Sequence, residues 1–517
     1  MLYLLAFIFP IAWGTILFVK FGKQETWPKG PYMLGIILTD IFAIASMVAG
    51  KPITLFTLSP KVSFAFDMDV VGKWFLAAVL LLYTLTLVYA FVYLKIEEHV
   101  PTFLAFYFIS LGALIAVCSS ANLVTIYFAF ELTTLTTVPL VLHEQSKEAV
   151  AAGLKYLFYS IGGALLGLLG VFFLYSYSQD PSAFVPGGVL DAAKASGNQT
   201  ILLVAFFLAI LGYGTKAGMY PMHGWLPTAH PIAPAPASAL LSGIIAKSGV
   251  LVIIRFVFYS VGADFLRGTW VQYAWIGIAL LTIFMGSMMA FGEKILKKRL
   301  AYSTISQISY VMLGMALLTQ EGLQGGLLQM MQHAASKACL FLCAGAFIYL
   351  YKKRDVRELK GIGKTSPMIL WAFFFAAMSL VGIPPMGGFT SKWHLAQAAL
   401  NSGLGFLSVL APIVLLVSAL LTAGNLFPVV IDGFFPGHEE GEGHGHGDRD
   451  GKGGDNAHSD RDGKGGDHAH AAAGEQKKGP FEKAPAMMWL PLIGLCLISL
   501  VIGLFGNSLV AMFGGIV

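Results

Sequence analysis

The sequence predicts an all-α polytopic membrane protein of about fourteen transmembrane helices, two of them broken. Three observations predict it. Of 517 residues, 56% are hydrophobic and only 12% charged, with mean hydropathy +0.73, whereas soluble domains carry about 25% charged residues. Apolar runs of bilayer length recur along almost the whole chain. Two of those runs hold a lysine beside proline and glycine: Lys216 before Pro221, and Lys392 after Pro384–Pro385. Irregular backbone at membrane depth is tolerated only where it is buried in protein or lines a hydrated path.

Spans one and two read at about 1–20 and 31–49. The first has no basic leader and no small-residue cleavage site, so it reads as a retained span, not a cleaved signal. The mixed segment Lys51–Gly72, with alternation in VSFAFDMD, reads as an extra-membrane hairpin. Spans three to six fall at about 73–94, 101–119, 121–143 and 149–178, and seven and eight at about 200–221 and 232–260. Spans nine to eleven fall at about 270–291, 300–319 and 324–351, and twelve to fourteen at about 367–397, 403–430 and 486–515. Span seven breaks after its lysine and span twelve, SLVGIPPMGGFTSKW, breaks before its own. That mirrored order fits two inverted five-helix repeats, spans 4–8 onto spans 9–13. The expected units are 1–100 (three spans with the hairpin), 101–260 and 261–430 (the repeats), 431–485 (a linker) and 486–517 (the last span).

Short loops after odd-numbered spans hold Lys20, Lys23 and Lys29, then Lys294, Lys297, Lys298 and Arg299, then Lys352, Lys353, Arg354, Arg357, Lys360 and Lys364. Even-numbered loops hold little beyond Lys51, Lys61, Lys194 and Arg267. Positive charge marks the cytoplasmic side, so odd loops are expected there and both termini outward. The net charge of +5 is small for this length and offers no nucleic-acid surface.

Between Gly212 and Gly249 the chain reads GYGTKAGMYPMHGWLPTAHPIAPAPASALLSGIIAKSG, with Lys216 and Lys247 inside flanking apolar runs. A lysine at the helix centre costs roughly 2.5–3.5 kcal/mol on insertion scales, so two beside a proline-broken helix suggest an ion path. The segment KAGMYPMHGWLPTAH resembles the signature of the antiporter-like subunits shared by respiratory complex I, Mrp-type cation/proton antiporters and membrane-bound hydrogenases. The resemblance implies that Glu131, in YFAFELTTLTTVPL of span five, pairs with Lys216. Such a pair at about 4 Å and an effective dielectric near 20 is worth about 4 kcal/mol, enough to switch Lys216 between holding and releasing a proton. The plain alternative is a static pair between helices.

Lys247 has Ser242 and Ser248 nearby and no acid in its span; burial then disfavours the ammonium form, as suits a relay. In MMQHAASKACLF of span eleven, His333 and Lys337 are one turn apart on one face. Many relatives in this family carry a histidine where this chain has Gln329, an amide that only orients water. Lys392 closes the series, and relatives place lysine or glutamate there as the terminal proton group. His223 and His230 suit an entrance funnel or simple packing, and Lys155 and Arg255, near helix ends, suit snorkelling.

The segment 431–485 contains the octamer DRDGKGGD twice and six of the twelve histidines. Its composition forbids a packed core, so a disordered cytoplasmic linker is expected. Loose metal binding by His444, His446, His468 and His470 is the weaker reading. The four cysteines, Cys118, Cys339, Cys343 and Cys496, lie in apolar segments and read as small hydrophobes. No P-loop, dinucleotide fingerprint, haem attachment or cysteine cluster is present, so no cofactor is expected. The resemblance implies a subunit of a complex I-like, hydrogenase or Mrp complex in a prokaryotic-type cytoplasmic membrane. It would move protons, with Na⁺ the other candidate ion, through Glu131, Lys216, Lys247, His333, Lys337 and Lys392. The alternatives are a stand-alone secondary antiporter and a silent scaffold of a hydrogenase.

Overall fold

In the computed structural model, residues 1–24, 27–436 and 484–516 are described. Helices α1 (Leu2–Phe21) and α2 (Lys29–Ala49) lead into an antiparallel hairpin, β1 (Ile53–Ser59) and β2 (Val62–Phe66). The alternation of VSFAFDMD is therefore a strand pattern. Phe56 stands opposite Phe64 with ring centroids 4.6 Å apart. The hairpin is tied to the next helical turn by Asn122, whose Nδ2 donates to the Ser63 carbonyl at 3.0 Å.

Helices α3 (Val70–Tyr93), α4 (Val100–Cys118), α5 (Leu123–Val141) and α6 (Lys147–Tyr177) follow, three of them with side-chain caps. Asp69, Asn122 and Ser146 each accept a backbone N–H from the first turn, which satisfies donors that lipid could not. Span seven is split into α7a (Gln199–Ala217) and α7b (Leu226–Ile232). Then come α8 (Ala235–Val261), α9 (Trp270–Gly292), α10 (Leu296–Ala316) and α11 (Gln320–Tyr351). Span twelve is split into α12a (Pro367–Val381) and α12b (Gly387–Leu400), followed by α13 (Phe406–Phe434) and α14 (Ala486–Val510). Both breaks open on a glycine in the left-handed region, Gly218 at φ +78° and Gly382 at φ +94°, where a side chain would be strained.

Every predicted span has a helical counterpart, but twelve described helices are long and apolar enough to cross a membrane, against fourteen expected. The two that fall short have physical reasons. Helix α10 opens on Lys297, Lys298 and Arg299 and carries STISQIS through its middle. Helix α12 is in two pieces of 15 and 14 residues. The core is α8, buried along its whole length, packed among α3, α7a, α10 and α11. Helices α1, α2 and α13 present Val19, Val48, Leu416 and Leu420 outward, as a lipid or subunit boundary requires. Helix α13 runs to Phe434, into the segment expected as linker. The histidine-rich repeats with His444, His446, His468 and His470 lie outside the described residues.

Arg255 is not a snorkelling residue. It is 2% exposed, and its guanidinium donates to both Asp69 carboxylate oxygens at 2.6 and 2.5 Å. Phe184 and Tyr259 lie against it, 5.0 and 4.6 Å from centroid to guanidinium carbon. Lys155 is likewise tethered, to the Thr228 hydroxyl of α7b at 3.0 Å. Burial alone would raise the Asp69 carboxyl, but the Arg255 guanidinium beside it holds it down to about 2.

Asp69→Ala strands a buried guanidinium. Because Asp69 keeps 37% of its side chain exposed, the expected loss is about 2 kcal/mol, below the 3–5 kcal/mol of a fully buried pair. The check is the thermal midpoint of the solubilised protein. The Asp69 carboxyl is lowered on folding, so its contribution is complete above about pH 4 and fades only as pH falls through the folded value. The mutant deficit should therefore stay constant from about pH 5 to pH 9.

Candidate functional site

The break after α7a places Lys216. Its α-helical carbonyls end at Gly218, and Trp225 Nε1 donates to the Thr215 carbonyl at 2.9 Å, pinning the irregular turn. The Lys216 ammonium, 1% exposed, donates to Thr134 Oγ1 at 2.7 Å and the Phe130 carbonyl at 3.2 Å, 4.3 Å from the Phe130 ring centroid. Glu131 and Lys216 act on each other electrostatically but not in contact: among the described residues no ion pair within 4 Å joins them, and Glu131 Oε1 is buried without a hydrogen-bond partner. Phe130 and Thr134 share the face of α5 that meets α7a; Glu131 is one residue on, about 100° around the helix.

Lys247 depends on a local widening of α8. Leu241–Ile245 is a π turn, with the Ala246 N–H reaching back to the Leu241 carbonyl at 3.0 Å. Such turns interrupt the regular ladder, and the Lys247 ammonium donates to the Ser242 carbonyl within it. Ser242 Oγ lies 2.7 Å from Thr304 Oγ1 of α10, which donates to the Leu300 carbonyl at 2.9 Å. Lys337 of α11 donates to that same carbonyl at 2.9 Å. Ser242, Lys247, Thr304, Lys337 and His333 are all 0% exposed. His333 lies one turn before Lys337 as expected, and both its ring nitrogens are buried with no partner.

Beyond His333 a polar network continues towards α12. Gln329 Nε2 donates to Gln307 Oε1 and Gln332 Nε2 to Gln329 Oε1, each at 2.9 Å. Ser391 donates to Gln329 Oε1 at 2.6 Å, and Ser379 to Gln332 Oε1 at 3.0 Å. Gln329 is thus the hub of a network joining four helical segments rather than an isolated amide. Gln307 reaches the Leu380 carbonyl at 3.5 Å, the oxygen that also accepts from Lys392 at 2.5 Å. Lys392 donates as well to the Val381 carbonyl at 2.9 Å, with its ammonium 5.1 Å from the Tyr310 ring centroid. These carbonyls end α12a, where the backbone has no further turn to satisfy them.

On the face that carries the odd-numbered loops, a cavity of about 540 Å³ is lined by Glu97, His143, Glu144, Lys297, Arg354 and Pro231, among others. Lys297 is 5% exposed, and its ammonium donates to the Ala233 carbonyl between α7b and α8 at 2.7 Å. Burial and then the neighbouring Glu144 push the Glu97 carboxyl up, and burial pushes the His143 imidazole down to about 4. Their 3.9 Å approach is therefore a polar contact, not an ion pair, at neutral pH. His230 is fully buried with both ring nitrogens unpartnered, and it stacks on Phe341 at 4.7 Å. His223 is half-buried beside Tyr220.

The sequence singles out the lysines but not what holds them. Thr304, Gln307 and Gln332 escape it, although STISQIS inside an apolar span is itself a signal of polar lining. Lys297 belongs to a helix and not to a loop, because α10 starts at Leu296 rather than near residue 300. Cys339 and Cys496 lie with their sulfurs 3.7 Å apart, and Cys496 is only half-buried. Among the described residues, no group of three or more His, Cys, Asp or Glu side chains could hold a metal ion.

Residues 120–420 match the family model described as NADH:quinone oxidoreductase/Mrp antiporter, transmembrane. The chain is 31% identical to NADH-quinone oxidoreductase subunit N of Desulforudis audaxviator, over 68% of this chain and 69% of that protein. It is 27% identical to a Na(+)/H(+) antiporter subunit of Alkalihalophilus pseudofirmus, over 84% of this chain and 87% of that one. Its fold is similar to a chain of the Mrp complex from Dietzia sp., with TM-score 0.76, 24% identity, and coverage of 100% of this chain and 97% of the other. The matched region contains Glu131, Lys216, Lys247, His333, Lys337 and Lys392. The chain belongs to the NADH:quinone oxidoreductase/Mrp antiporter transmembrane family.

Proposed function

We propose that this chain is a proton-translocating subunit of a multisubunit membrane complex, carrying protons along Glu131, Lys216, Lys247, His333, Lys337 and Lys392. The observation that carries the reading is the setting of the lysines. Lys216, Lys247, Lys337 and Lys392 each direct the ammonium at main-chain carbonyls, with a hydroxyl added at Lys216, and none forms an ion pair within 4 Å among the described residues. A main-chain carbonyl is uncharged and accepts from the ammonium or the neutral amine alike, so a proton can leave without stranding a carboxylate in hydrogen-bond contact. A scaffold gains nothing from four such groups at membrane depth. The cavity lined by Glu97, His143 and Lys297 is the mouth from the odd-loop face, which the charge bias places in the cytoplasm.

Related chains carry names that join them to NADH–quinone oxidoreduction and to Na⁺/H⁺ antiport, so the driving reaction is assigned by partners rather than by this chain. Purifying the native complex and identifying its subunits, then measuring proton movement in reconstituted vesicles, tests the proposal. A redox or Mrp-like partner set with proton movement is expected. Ion exchange by the purified single chain would replace it with a stand-alone antiporter, and an assembled complex that moves no ions would replace it with a scaffold.

A further inference from the structure

We propose that Thr304 and Ser242 form a hydroxyl link that passes a proton between Lys247 and Lys337, a deepening that rests on the proton-translocation reading above. The two lysines stand on different helices, α8 and α11, and each donates to a different carbonyl rather than to the other. What joins them is one hydrogen-bonded chain, all of it fully buried: the Lys247 ammonium on the Ser242 carbonyl, Ser242 Oγ on Thr304 Oγ1 at 2.7 Å, and Thr304 Oγ1 and the Lys337 ammonium both on the Leu300 carbonyl at 2.9 Å.

A carbonyl accepts a hydrogen bond but has no proton to pass on; a hydroxyl both donates and accepts. Of the groups in this chain, only Ser242 and Thr304 can receive a proton on one side and release one on the other. The π turn that frames Ser242 presents its carbonyl to Lys247 while its hydroxyl faces Thr304. Thr304 shares its acceptor with Lys337, so a rotation of the Thr304 hydroxyl about χ1 or its C–O bond turns it from the Leu300 carbonyl towards the Lys337 nitrogen.

The transfer balances simply. The Lys247 ammonium first swings from the Ser242 carbonyl to the hydroxyl of the same residue. One of its N–H bonds then breaks as Ser242 Oγ gains that proton, Ser242 gives its own hydroxyl proton to Thr304, and Thr304, turned from the Leu300 carbonyl, gives its own to the neutral Lys337 amine. Lys247 ends as an amine, Lys337 as an ammonium, and both hydroxyls are restored with their partners exchanged. Two unpaired ammonium groups in a low-dielectric core repel one another, so the pair holds one proton at a time and the link moves it. Thr304 exchanges the proton itself and is a relay between the lysines, not a terminal donor.

The experiment compares Thr304→Val, Thr304→Ser and Ser242→Ala with Lys216→Ala in the assembled complex, reconstituted in vesicles and read by a pH-sensitive dye. Valine keeps the shape of threonine and loses the hydroxyl; serine keeps the hydroxyl and loses the methyl group. The link predicts that Thr304→Val slows proton movement by about 100-fold, within the range a positioned proton-transfer group contributes, and that Thr304→Ser restores it. A packing role predicts the opposite order, valine above serine, and that order overturns the link. If Lys216→Ala stops proton movement while Thr304→Val moves protons normally, the link fails and the wider path stands. If both variants move protons normally, the path itself fails. Should Thr304→Val not assemble, Ser242→Ala decides: slowed movement supports the link, and normal movement overturns it.

Discussion

A complex carrying Lys216→Ala should assemble at normal yield and lose proton translocation by roughly 100-fold or more. Lys216 is 1% exposed and sits at the last turn of α7a, held by the Thr134 hydroxyl at 2.7 Å and the Phe130 carbonyl at 3.2 Å. Alanine removes the ammonium without breaking a contact ion pair, because among the described residues no ion pair within 4 Å joins Glu131 to Lys216, and the two charges act on each other only across a longer distance. The remaining polar groups can turn to each other or accept water, as Thr134 already approaches the Phe130 carbonyl at 3.4 Å. Assembly should therefore survive where it would fail after the loss of one member of a tight buried ion pair. The measurement is dye-reported proton movement in vesicles, normalised to the assembled complex. Wild-type rates in assembled Lys216→Ala complexes would exclude Lys216 from the path.

The spans, the hairpin and both helix breaks are legible in the sequence because each is a local property: apolar length, alternation, and proline or glycine beside a buried charge. The placement of Lys216, Lys247, His333, Lys337 and Lys392 inside helices is legible in the same way, since a polar group inside an apolar run stands out by itself. What those charges touch is not legible. The Glu131 expectation rests on resemblance, and a single residue of helical rotation separates Glu131 from the face that meets Lys216. Arg255 looks terminal in sequence, yet its partner Asp69 is 186 positions away. Serine, threonine and glutamine are uncharged, so Thr304, Gln307 and Gln332 do not stand out as titratable groups, although they build the buried links around the lysines. Lys297 is misplaced by a helix start shifted a single turn, enough to exchange a solvated loop for a buried junction.

The end of the series separates proton transfer from structural support most sharply. Lys392 donates to the Leu380 and Val381 carbonyls, the last acceptors of α12a before the chain breaks at Gly382. That arrangement serves equally well as a helix cap, since unsatisfied terminal carbonyls at membrane depth need a donor. Two substitutions pull the roles apart. Glutamine retains an NH₂ donor for those carbonyls but does not titrate. Glutamate titrates, yet when ionised it only accepts hydrogen bonds, so it faces the carbonyls well only when it carries a proton. If Lys392 is the terminal proton group, Lys392→Gln should reduce translocation by about 100-fold, whereas Lys392→Glu should retain measurable transport with a shifted pH profile. If Lys392 is a cap alone, the ranking reverses, because glutamine caps and ionised glutamate repels. Both variants are compared at matched assembly, so a loss of folding cannot pass for a loss of transport. Faster translocation by Lys392→Gln than by Lys392→Glu would take Lys392 off the path and leave the break in α12 as a supported kink.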